Sequence, residues 1–214
     1  MIFYGYFRSS AAYRCRIAFN LKGVAPEFAS VHLRRGDGEQ KTASYRKRNP
    51  QALVPVLEID GTPLTQSLAI IEWLDETIPE PALLPADPIV RARARAFAQA
   101  IACDIHPLQN LRVLDYLRTE LGQPQEALDT WCRRWIGDGL TACEALLAQD
   151  GPNGTFAFGE TPGIADICLV PQLFSADRFG VDLTNMPRLR AIRAACDAIP
   201  AFADAHPSRQ TDSE

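Results

Sequence analysis

Ile2-Phe3-Tyr4-Gly5-Tyr6-Phe7-Arg8-Ser9-Ser10-Ala11-Ala12-Tyr13-Arg14-Cys15-Arg16-Ile17-Ala18 opens the chain with a short β-like run that empties into Arg-Ser-Ser and then an apolar-periodic helix. A strand that feeds a helix in this way sets two hydroxyls, Ser9 and Ser10, at a helix N-terminus. There the unpaired backbone N–H groups and the positive end of the helix dipole favour an anion. A hydroxyl in that field can donate to a thiolate and stabilise it. The plain reading of the segment is an ordinary serine N-cap. The functional reading is a protein that binds and activates a small thiol.

Two later segments point the same way. Leu53-Val54-Pro55-Val56-Leu57 leads into a strand, and Asp60-Gly61 is a two-residue hairpin signal between Leu57-Glu58-Ile59 and Thr62-Pro63-Leu64. A proline entering a strand, as Pro55 does after Val54, is a typical place for a cis peptide that docks an extended peptide ligand. Leu64 to Leu74 then opens another helix, whose first-turn Gln66 and Ser67 can hold a carboxylate.

The first part of the chain thus alternates. It reads as a strand at 2–7, a helix from Ser10 to Lys22, a strand near 28–32, a polar helical stretch near 40–47, the hairpin and a third helix. That order implies a small mixed sheet with helices on both faces. Pro79-Glu80-Pro81 and Pro85-Ala86-Asp87-Pro88 mark a linker, because prolines this dense interrupt any helix. From Ile89 onward there is no strand signal, and 89–119, 125–148 and 163–177 carry helical periodicity. We therefore expect domains at 1–80 and 88–205, a linker at 81–87 and a loose polar tail at 206–214. Asp166, three residues after Gly163, reads as half of a helix-capping box and so as structural.

Composition narrows the function classes. A net charge of −4 over 214 residues gives no pull on nucleic acid or an anionic membrane. No stretch approaches the roughly 20 apolar residues of a membrane span. The N-terminus enters a strand at once, without a signal segment. Cys15, Cys103, Cys132, Cys143, Cys168 and Cys196 form no C-x-x-C pair, which fits reduced thiols in a cytoplasmic protein. The three histidines show no ligand spacing, so no metal site is expected.

Ser9-Ser10 at the first helix, Val54-Pro55 before the third strand and Gln66-Ser67 at the third helix together resemble the thioredoxin-like domain of the glutathione transferases. Arg8-Ser9-Ser10 followed by Arg14-x-Arg16-Ile17-Ala18 is similar to the zeta class, whose members include maleylacetoacetate and maleylpyruvate isomerases. The resemblance runs end to end. It takes in Asn49-Pro50-Gln51, Cys103 to Asn110, Ala165 to Gln172 and Gln210-Thr211-Asp212. It implies an α/β thioredoxin-like N-terminal domain followed by an all-α C-terminal helical bundle, the glutathione transferase fold. It also implies a homodimer, glutathione as a recycled cosubstrate and a small dicarboxylate substrate. The implied reaction is glutathione-dependent cis–trans isomerisation of maleylacetoacetate to fumarylacetoacetate in aromatic amino-acid breakdown. The alternatives are isomerisation of maleylpyruvate in gentisate-type degradation, transfer of glutathione to small halogenated acids, and a non-enzymatic glutathione-binding regulator.

The resemblance also assigns roles. Ser9 matches the position that activates the glutathione sulfur, and Ser10 can share or assist. Gln51, Val54, Pro55, Gln66 and Ser67 form the glutathione cradle, and Asp104 meets the γ-glutamyl amine across the dimer interface. Arg8 and Arg178 are forked cations for the substrate carboxylates, with Arg112 a third candidate. His106 and Asn110 are ligand contacts, and His106, Asn110 and Arg112 are expected on one helix at i, i+4 and i+6. Ala11 stands where zeta enzymes commonly have Cys, so catalysis rests on glutathione itself. Leu111 stands where maleylpyruvate-type relatives have Arg, and follows the maleylacetoacetate type.

Overall fold

A computed structural model describes residues 1–149 and 154–214. They group into two units, Met1–Leu83 with Ile199–Glu214, and Leu84–Ala198.

The first unit contains β1 (Ile2–Gly5), α1 (Ser10–Leu21), β2 (Glu27–Ser30), the short α2 (Ala43–Arg46), β3 (Val56–Ile59), β4 (Thr62–Thr65) and α3 (Ser67–Thr77). The helical crossover through α1 makes β1 and β2 parallel, as such a connection requires. Asp60 and Gly61 both take positive φ, 48° and 80°, and close β3 and β4 into the expected two-residue hairpin. The sheet order is β2-β1-β3-β4, with β3 antiparallel to both neighbours. Phe3 packs edge-on to Phe19 at 5.0 Å, over a core that includes Ile17, Leu57, Ile70 and Leu74.

Lys22, just past α1, buries its ammonium. Its Nζ lies 2.6 Å from Asp75 Oδ1, from the Ile78 carbonyl and from the Pro81 carbonyl, and so ties the end of α3 to the chain that leaves it.

The C-terminal segment differs from expectation. α9 (Pro200–Ala205) packs on α1 and belongs to the first unit, not to the helical bundle. The segment beyond it is not loose. Asp212 Oδ2 accepts from the Phe7 N–H at 3.1 Å and from Ser30 Oγ at 2.9 Å, and Glu214 meets His32 Nε2 at 2.9 Å. The polar residues that suggested a solvated tail take partners within the chain instead.

The second unit holds α4 (Pro88–Gln99), α5 (Leu111–Thr119), α6 (Gln125–Ala148), α7 (Ile164–Phe179) and α8 (Pro187–Asp197). Leu128, Cys132, Ile136, Leu140, Cys143 and Leu147 of α6 recur at helical spacing and are buried. The helix expected over 89–119 is interrupted. After α4 the backbone widens into a π turn at Ala100–Ile105, tightens into a 3₁₀ turn at His106–Gln109, and restarts at Asn110. Two local causes are visible. Pro107 has no N–H to continue the helical ladder. The backbone of α6 also lies against Ile105, since a Cβ added at Gly139 would sit 2.4 Å from Ile105 Cγ1.

Asp166 is structural, as its spacing suggested. Its oxygens accept from the backbone N–H groups of Gly163 and Ala157, each at 2.9 Å. Gly163 has no side chain to return the bond, so only half of the box exists. Burial pushes the Asp166 carboxyl up to about 6.

Candidate active site

The turn from β1 into α1 is held from two sides. Arg16, buried in α1, donates from Nη2 to the Phe7 carbonyl at 2.9 Å and from Nε to the Ala205 carbonyl at 3.0 Å. Its burial lowers the guanidinium pKa to about 10, so it stays charged at neutral pH. Asp212 takes the N–H of the same Phe7. Ser9 lies two residues beyond this fixed residue.

Ser9 is the N-cap of α1, with extended backbone (φ −69°, ψ 116°), and its Oγ accepts from the Ala12 N–H at 3.2 Å. That bond uses an oxygen lone pair and leaves the hydroxyl proton available to donate. Ser10, the first residue of the helix, is buried. Arg8 is exposed, with its guanidinium 5.1 Å from the Phe7 ring centroid and Nη2 at 3.4 Å from Tyr6 Oη. Among the described residues no carboxylate pairs with Arg8.

The loop before β3 is shaped by two buried side chains. Tyr45 Oη and Asn49 Nδ2 both donate to the Leu53 carbonyl, at 2.9 and 2.8 Å, and Asn49 Oδ1 accepts from the Gln51 N–H at 3.0 Å. The Val54–Pro55 bond that follows is cis. Val54 packs on Val31, Tyr45 and Val56. Gln66 enters α3 at φ 69°, and its Nε2 donates to Gln51 Oε1 at 2.9 Å. A non-glycine residue in that conformation is a strained feature of the kind concentrated at ligand sites. Ser67 lies buried at the start of α3, and Arg14 of α1 donates to its Oγ at 3.3 Å. The structure therefore brings Gln51, Gln66 and Ser67 together. It also places Ser9 and Ser67 at the N-termini of two helices joined by Arg14.

The expected site residues of the second unit lie on several short elements. Asp104 is exposed on the π turn, and His106 begins the 3₁₀ turn. Asn110 is the N-cap of α5, its Oδ1 accepting from the Arg112 N–H at 3.1 Å, and Arg112 is exposed in the first turn. His106, Asn110 and Arg112 thus do not share one helix, which corrects the expectation of a common face for the first two. Part of Asn110's side chain is used on its own backbone. Arg178 is exposed in the last turn of α7, 5.3 Å from the Phe179 ring centroid.

Sequence reasoning gave no role to Arg14, Arg16, Tyr45, Asn49 or Asp212. A signal for the first two was available. Two arginines sit among Ala12, Tyr13, Cys15 and Ile17 on a helix buried nearly all round, and a charge there must have an interior partner.

Residues 8–77 match the model of the glutathione S-transferase N-terminal domain, and residues 111–199 that of the C-terminal domain. Maleylacetoacetate isomerase of Pseudomonas aeruginosa is 46% identical over 100% of this chain and 99% of its own. The holo structure of maleyl pyruvate isomerase, a bacterial zeta-class glutathione S-transferase, is 50% identical. It superposes with a TM-score of 0.96 over 100% of both chains. The crystal structure of maleylacetoacetate isomerase from Methylobacterium extorquens AM1, with bound malonate and GSH, is 40% identical with a TM-score of 0.95 over 100% of both chains. With both domain models matched over most of the chain and these relatives aligned along its whole length, the chain belongs to the glutathione S-transferases, in their zeta class.

Proposed function

We propose that the protein is a glutathione-dependent cis–trans isomerase that converts maleylacetoacetate to fumarylacetoacetate. The observation that carries this reading is Ser9. Its hydroxyl caps α1 with its proton left to donate, next to the exposed guanidinium of Arg8. A glutathione sulfur there would accept that proton as a hydrogen bond while the helix N-terminus favours its negative charge. Ser10 assists at the same helix start. Val54 would pair its backbone with the cysteinyl unit as an added strand does, beside Pro55. Gln51, Gln66 and Ser67 would take the γ-glutamyl end, with Asp104 answering its amine from the partner subunit of a homodimer. His106 and Asn110 are further contacts to the bound ligand.

The chemistry needs little more than placement. The thiolate adds to the conjugated double bond, a carbon–sulfur bond forms, and the alkene electron pair moves onto the carbonyl oxygen. The former double bond rotates. The pair then returns, the trans alkene forms and the thiolate leaves unchanged. Arg8, Arg178 and Arg112 would hold substrate carboxylates and offset the developing charge. A dicarboxylate substrate fits the M. extorquens relative, which binds malonate beside GSH. Loss of a family thiol at Ala11 leaves this sequence of steps intact, because the protein forms no covalent bond.

Maleylpyruvate is the second substrate to consider, since a maleyl pyruvate isomerase is 50% identical to this chain. Leu111, the first residue of α5, favours maleylacetoacetate. The role of Ser9 is tested by titrating the thiol of bound glutathione by ultraviolet absorbance. Wild-type protein should lower the thiol pKa from its free value near ~8.5 to below ~7.5. Ser9→Ala should return most of that shift and cut kcat by roughly 10²-fold. A Ser9→Ala variant with wild-type turnover would move the activating role to Ser10.

A further inference from the structure

Arg14 is the largest fully buried side chain among the described residues, 1% exposed, and its charge is poorly answered. Nη1 donates to Ser67 Oγ at 3.3 Å, while Nε and Nη2 are buried with no hydrogen-bond partner among the described residues. A buried guanidinium without a counter-ion is costly unless something supplies one. The bond it does make ends at the N-terminus of α3, an eleven-residue helix whose positive end faces the same point.

The direction of that bond has a chemical consequence. A guanidinium only donates, so Ser67 Oγ must accept, and the Ser67 hydroxyl proton is left to donate elsewhere. Gln66, held at φ 69° and bonded to Gln51, fixes the backbone beside it.

We propose that Arg14 is a positioning residue for the ligand carboxylate at the start of α3. It orients the Ser67 hydroxyl toward the γ-glutamyl α-carboxylate of glutathione and supplies a buried positive charge that this carboxylate answers. The proposal rests on the reading of Gln66 and Ser67 as the γ-glutamyl site. Arg14 does not touch the ligand, so its effect is on ligand affinity and not on the chemical step.

The test compares glutathione with its analogue in which the γ-glutamyl α-carboxylate is a carboxamide. Binding of each is measured by calorimetry to wild-type protein, Arg14→Met and Arg14→Lys. Wild-type protein should prefer glutathione by roughly 10- to 100-fold, the range of a charge-assisted contact. Arg14→Met should weaken glutathione by most of that factor, leave the carboxamide unchanged and raise KM for glutathione with kcat preserved. A merely structural role would weaken both ligands together. If Arg14→Met does not fold, Arg14→Lys, which keeps the charge and loses the fork, should reduce the preference several-fold. A wild-type preference that survives in the variant that folds overturns the role of Arg14 alone. A wild-type protein that binds both ligands equally overturns the γ-glutamyl site itself.

Discussion

Replacing Asp166 with alanine should destabilise the second unit by an amount that depends on pH in a defined direction. The carboxylate is 1% exposed and accepts two backbone N–H bonds of 2.9 Å, from Ala157 and Gly163. In Asp166→Ala the buried Ala157 N–H and the half-buried Gly163 N–H both lose this partner. Each such donor costs about 1–3 kcal/mol, so the pair costs about 2–6 kcal/mol. Against this stands the cost of burying the charge, which raises the carboxyl from 3.8 to about 6. Between those two values the folded chain holds a proton that the unfolded chain has lost, so stability falls as pH rises through that window. The contribution of the carboxyl is complete below 3.8, and a gap of roughly two pH units removes about 3 kcal/mol of it above pH 6. Asp166→Ala should therefore be most costly near pH 4 and about 2.5 kcal/mol less so near pH 7.5. Urea unfolding of both proteins at the two pH values, at one protein concentration, reads this as a shift in midpoint at constant m. A loss below about 1 kcal/mol at pH 4, or one that grows with pH, would refute the reasoning.

Two further outcomes are expected. Lys22→Met should lower stability by about 3–5 kcal/mol in urea, since it removes the counter-charge of Asp75 and the donor to the carbonyls of Ile78 and Pro81, and a loss below about 1 kcal/mol would contradict this. Asp212→Ala frees the Phe7 N–H that precedes Arg8 and Ser9, so steady-state kinetics should show kcat down roughly 3- to 30-fold, with partial rescue in Asp212→Asn. An unchanged kcat would remove the C-terminal segment from the support of the site.

The first unit was legible because its signals are local. Ser9 before an apolar-periodic helix, Asp60-Gly61 between two strands and Gln66-Ser67 before α3 each act over a few residues, and each appears where the chain chemistry requires it. What escaped depends on distant partners. Nothing between Ala100 and Ile105 announces a π turn, because its neighbour is Gly139 on α6. His106, Asn110 and Arg112 were placed on one helix by spacing alone, which cannot see that Asn110 would cap a new one. The residues after α9 looked solvated because Asp212 meets Phe7 and Ser30 only after the whole chain has folded. Arg48, just past α2, likewise finds its partners elsewhere in the chain, stacking 4.7 Å from the Tyr4 ring centroid and pairing with Glu58 at 3.3 Å.

The most direct test of the central claim is the initial rate with maleylacetoacetate and with maleylpyruvate, each with and without glutathione. The account predicts rapid conversion of maleylacetoacetate to its trans isomer only when glutathione is present, with the glutathione recovered unchanged. Turnover without glutathione, or none of either substrate with glutathione bound, would contradict it, and a strong preference for maleylpyruvate would overturn the substrate assignment drawn from Leu111.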